Sequence, residues 1–172
     1  MKTSKLLNPV FMLAAGLLLG TAARLFDIYF QTLGEIFSQM SVWILLGTLI
    51  AIYSPTKKAA MGNIFPFCMG MLLTYYATAM LTRGVYGWPY IIGWTVFALL
   101  SPLMAYFAWM AKQRGVFPKI IGAGITAVSL LSSIVLFDRV RINDLIIDGV
   151  LVYFLFFRRI DRERTDKQTH PR

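Results

Sequence analysis

The stretch "WPYIIGWTVFALLSPLMAYFAWMA", residues 88–111, contains no charged side chain. As a helix rising ~1.5 Å per residue, it would carry the chain about 31 Å from Trp88 to Trp109, close to the hydrocarbon thickness of a bilayer. The two tryptophans then suit interfacial anchors, and Pro89 suits the first turn, where a missing N–H costs nothing. Apolar windows of similar length recur at 6–26, 36–53, 61–82, 118–137 and 142–157. Between them stand turn-forming or basic stretches such as "YSPTKKAA", "RGVYGWP" and "KQRGVFPK".

With 58% hydrophobic residues and a mean hydropathy of +0.65, a chain of 172 residues keeps too few polar side chains to cover a water-facing surface. The expected fold is all-α: a polytopic integral membrane protein with six transmembrane helices. One helical bundle is expected over residues 1–160, and a charged cytoplasmic tail over 161–172. If both termini face the cytoplasm, only Arg24, Arg83, Arg139 and Arg141 of the 17 Lys and Arg lie on the outer side. That asymmetry satisfies the positive-inside rule and predicts an N-in/C-in topology in the plasma membrane. Lys2 and Lys5 before an apolar run ending in "GTA" also resemble a secretory signal. The run is longer than a signal core, so the first span is expected to be retained.

The net charge of +9 is dispersed over loops and the tail, which suits topology rather than nucleic-acid binding. Cys68 and His170 are the only residues of their kinds. Cysteine or histidine metal sites, haem ligation and serine-histidine catalysis therefore lack their usual parts, and no metal, cofactor or enzymatic activity is expected.

Polar groups inside the spans carry the remaining information. In "DRVRINDLIIDGVLVYFLFFRR", residues 138–159, Arg141, Asp144 and Asp148 fall on one narrow helical stripe, with Asp148 near mid-membrane. Two roles fit them. They can pair with one another, with Arg24 or with a helix N-terminus, or they can line a polar cavity open to the outside. Asp27, Glu35, Gln39, Arg83, Tyr86, Asp138, Arg139 and Asn143 are expected on the same side. That mixture of both charge signs with amides and aromatics suits a small polar or zwitterionic solute. Arg24, Arg141, Asp144 and Asp148 are the expected ligand-binding residues. "GLLLG", with Gly16 and Gly20, permits close helix approach within the bundle or to a membrane-protein partner. Pro66 and Pro102 fall inside spans, where proline frees carbonyls and usually kinks the helix.

Through "FSQMSVWILLGTLIAIYS" and "IIGWTVFALLSP" the chain resembles an uncharacterised family of small six-span membrane proteins of Gram-positive bacteria. By size, span count and the small residues of its first helix it also looks like the substrate-binding subunits of energy-coupling-factor transporters. That resemblance implies a solute held on the outer side and a coupling subunit met by the first helix. Gly16 and Gly20 would be the matching positions, with glycine where that family usually has alanine.

Overall fold

The computed structural model describes residues 7–82, 84, 87–137, 140–158 and 160. Arg83, Tyr86, Asp138, Arg139 and the tail 161–172 lie outside the described residues. Among them the secondary structure is helical, without strands: α1 (Pro9–Tyr29), α2 (Gln31–Phe37), α3 (Met40–Tyr53), α4 (Lys57–Leu81), α5 (Trp88–Met110), α6 (Val116–Phe137) and α7 (Ile142–Val152). A π-helical turn, Tyr153–Phe157, continues α7.

Local chemistry sets several starts. The Asn8 side chain accepts the Phe11 N–H with Pro9 in the first turn of α1, and the Thr56 hydroxyl accepts the Ala59 N–H to begin α4. α4 runs through Pro66 and α5 through Pro102 without a break in the helix. The break comes elsewhere. The window 36–53, expected as one span, is divided at Ser38 and Gln39 into α2 and α3, which meet at 58°. The freed Phe37 carbonyl accepts the Trp43 indole N–H at 2.8 Å, so the interruption leaves that group satisfied.

Four helices are long and apolar enough to cross a membrane: α1, α4, α5 and the Val116–Val135 portion of α6; the bent α2–α3 pair makes a fifth candidate. Their surfaces agree with that environment. Leu18, Leu73 and Val135 are 74%, 67% and 80% exposed, while Asn63, Ser41, Asp144 and Asp148 are buried. Apolar outside and polar inside is the arrangement that hydrocarbon favours.

The core lies between α1, α3, α4 and α5, around Met12, Trp43, Ile64, Phe67, Cys68 and Met71, with Ala98, Ala105 and Ala108 forming the buried face of α5. The most extensive helix contact joins α1 to α4. Gly16 and Gly20, the candidate partner surface, are both buried there: a Cβ on Gly16 would overlap the Phe67 carbonyl, and one on Gly20 the Met71 carbonyl and Thr74 hydroxyl.

One end of the bundle is tied by Asn63, which donates to the Leu7 carbonyl and the Ser54 hydroxyl, and by Trp109, which donates to the Ser54 carbonyl. At that end Lys112 Nζ donates to the carbonyls of Phe154, Leu155 and Arg158 at 2.8, 3.0 and 2.7 Å. A cation on the last carbonyls of a helix also opposes its dipole. Lys112→Met should lower stability by about 1.5–3 kcal/mol, the range for charged hydrogen bonds. Thermal unfolding in detergent checks this, and an unchanged midpoint would show that Lys112 does not hold the end of α7.

Candidate functional site

The opposite end gathers the C-termini of α1 and α4, the short α2 and the N-termini of α3 and α7. Asp27, on the last turns of α1, is its hub. Its Oδ2 accepts the Tyr75 hydroxyl at 2.7 Å, and its Oδ1 accepts the Ser38 hydroxyl at 3.4 Å. Arg24 Nη1 stands 3.8 Å from Oδ2, and Arg24 Nε donates to Thr82 Oγ1 at 3.4 Å. Gly34 is the reason α2 can lie so close: a Cβ there would come within 2.6 Å of the Asp27 Cα. α1, α2 and α4 are thus joined through one carboxylate.

Beside this hub is an open pocket of about 250 Å³, lined by Asp27, Gln31, Gly34, Glu35, Ser38 and Arg141. Arg141 Nη1 lies 3.5 Å from Glu35 Oε2, and Glu35 is half exposed. Two carboxylates and a guanidinium face a volume smaller than a drug-sized site. The larger cavity, about 400 Å³ between α3, α4, α5 and α6, is of another kind. It is lined mainly by Met40, Trp43, Phe97, Met104, Ile121 and Ile125. Of its hydroxyl residues Thr48, Ser101 and Ser132, the two serines donate to carbonyls of their own helices, so the cavity is predominantly apolar.

The four residues expected to form one site are distributed over three places. Arg141 lines the polar pocket, whereas Arg24 sits behind it with Asp27, Thr82 and Gly84. Asp144 is fully buried at the head of α7, where Oδ1 accepts the Ser41 hydroxyl and Oδ2 the Arg141 backbone N–H, each at 3.0 Å. Asp148 lies one turn deeper, 4% exposed, within electrostatic reach of Ser129 but without a hydrogen bond to it.

Ser38 and Gln31 enter the pocket only because α2 folds back against α1, which no local pattern announces. Ser129 and Ser133 did leave a trace: one turn apart in a mainly apolar helix, they place polar groups on a single face. Trp43 and Trp94, read as packing residues or a ligand platform, meet edge to face at 6.5 Å within the core, with the Trp43 N–H already engaged. Compared with known proteins, the chain matches no family model, no curated protein and no solved structure.

Proposed function

We propose that this is a six-span plasma-membrane protein, N-in/C-in, that binds a small zwitterionic solute at its outer mouth as the recognition step of transport. α7 with its π-helical turn supplies the sixth span in this topology. From Ile142 to Phe157 it covers about 24 Å at ~1.5 Å per residue, short of a ~30 Å hydrocarbon layer. The mouth pocket beside Arg141 accounts for the shortfall, because the membrane is locally open to water there.

One observation carries the function: Asp27, Glu35 and Arg141 face a common pocket, with Gln31 and Ser38 between them. A solute cation would take the place of Arg141 beside Glu35, and a solute anion would take the place of Glu35 beside Arg141. Their 3.5 Å ion pair is exposed on the Glu35 side, so its replacement costs little. The alternative is a structural or regulatory membrane protein whose charges only join helices. It is favoured at Arg24 and Asp144, whose polar groups are already engaged within the chain.

The test is thermal unfolding of the detergent-purified protein with glycine, L-glutamine, L-lysine, L-glutamate and choline. At least one zwitterionic amino acid should raise the midpoint, and choline, lacking an anionic group, should not. Arg141→Gln should weaken that binding roughly tenfold or more, corresponding to the loss of a charged hydrogen bond of ~1.5–3 kcal/mol. No response to any zwitterion, or a response that survives Arg141→Gln unchanged, would assign the mouth to helix pairing alone.

A further inference from the structure

We propose that Asp148, Ser129, Ser133 and Gln39 form a binding site for a small monovalent cation of the sodium class, inside the bundle and separate from the mouth pocket. Among the described residues, every buried side-chain oxygen without a hydrogen-bond partner belongs to these four: both oxygens of Asp148, the two serine hydroxyls and Gln39 Oε1. None of the four residues is more than 4% exposed. Such atoms are rare in folded proteins, so five of them on or beside three helices that pack on one another ask for a common ligand.

The elements that carry them adjoin. α3, α6 and α7 pack on one another. Ser129 and Ser133 share a face of α6, and Asp144 and Asp148 share a face of α7. Ser129 lies within electrostatic reach of Asp148. Gln39 immediately precedes α3, two positions before Ser41, whose hydroxyl reaches Asp144.

The donor chemistry selects the ion. Carboxylate, hydroxyl and amide oxygens are hard ligands that suit alkali and alkaline-earth cations rather than transition metals. Asp144 already spends its oxygens on Ser41 and the Arg141 N–H at a helix N-terminus, which leaves Asp148 as the one uncompensated carboxylate. No Lys or Arg among the described residues forms an ion pair with it. A single negative charge in hydrocarbon is matched by a single positive one, and a divalent ion would leave excess charge of its own. No cluster of three or more His, Cys, Asp or Glu suited to a metal occurs among the described residues.

The experiment measures thermal unfolding of the detergent-purified protein in NaCl, KCl and choline chloride at equal ionic strength, with no solute added. Sodium should raise the midpoint by several degrees over choline, with saturation as its concentration rises. Asp148→Asn should abolish the sodium-specific rise, and Ser129→Ala should move its half-saturating concentration several-fold higher. Ser129→Ala answers the question alone if Asp148→Asn does not fold. Equal midpoints in sodium and choline, a response to acid but not to sodium, or a full sodium response in either variant would overturn the site. Because no solute is present, its failure would leave the mouth pocket standing, and the reverse holds for the amino-acid experiment.

Discussion

Gly16→Leu is expected to disrupt the bundle, because the space its side chain would need is held by backbone. A Cβ at Gly16 would overlap the Phe67 carbonyl, and across the same contact a Cβ on Gly70 would come within 2.9 Å of the Leu13 carbonyl. The Thr74 hydroxyl also donates to the Leu17 carbonyl at 2.8 Å, so the two helices are bonded as well as packed. Where overpacking meets flexible side chains it costs ~1–3 kcal/mol. Here α4 as a whole must move away from α1 along the largest contact in the fold, and the expected loss is about 3 kcal/mol or more. Gly62 supplies the control. Nothing lies within 4 Å of a Cβ placed there, so Gly62→Ala should be neutral or stabilising by up to ~1 kcal/mol through helix propensity. Unfolding in a graded denaturing detergent would rank the two variants. A Gly16→Leu protein as stable as the parent would mean that α1 does not pack on α4 through this face.

How much of this was legible in the sequence follows from which forces are local. Uninterrupted apolarity over residues 88–111 is a local property, and α5 occupies nearly that range. The stripe of Asp144 and Asp148 is equally local, since helical periodicity alone places them on one face, and both are buried. The division of 36–53 was not legible. "FSQMS" carries three polar residues, but such clusters also occur in unbroken helices. What permits the bend is an indole N–H six residues onward that accepts the duty of capping Phe37. The same limit explains the site. Arg24 and Asp27 could be seen one turn apart, yet the link from Asp27 to Tyr75 spans two distant helices and exists only once α1 and α4 have packed. Arg24, Arg141 and Asp144 do lie toward one end of the bundle with Asp148 a turn deeper, but a shared end does not give the direction from which each is approached.

Asp144→Ala is expected to be the most damaging change among the charged residues, and it also shows why two aspartates on one stripe are not equivalent. The Asp144 carboxylate is fully buried and accepts from the Ser41 hydroxyl and the Arg141 N–H. Its removal takes away the cap of α7 and leaves the fully buried Ser41 hydroxyl without its acceptor. Losing a cap costs ~1 kcal/mol and leaving a buried polar group unpaired ~1–3 kcal/mol, so about 2–4 kcal/mol is expected. Asp144→Asn keeps one acceptor oxygen, which serves one of the two donors, and should lose about half as much. At Asp148 the same Asp to Asn change acts on a carboxylate without a protein partner, so removing its charge relieves desolvation instead of breaking a bond. Without sodium, Asp148→Asn should therefore be at least as stable as the parent, whereas Asp144→Asn should be less stable. Unfolding midpoints of the three variants in choline chloride give the comparison. If Asp148→Asn destabilised as much as Asp144→Asn, both carboxylates would be structural. Opposite signs one helical turn apart would mean that α7 uses its first acid to begin the helix and holds its second for a ligand.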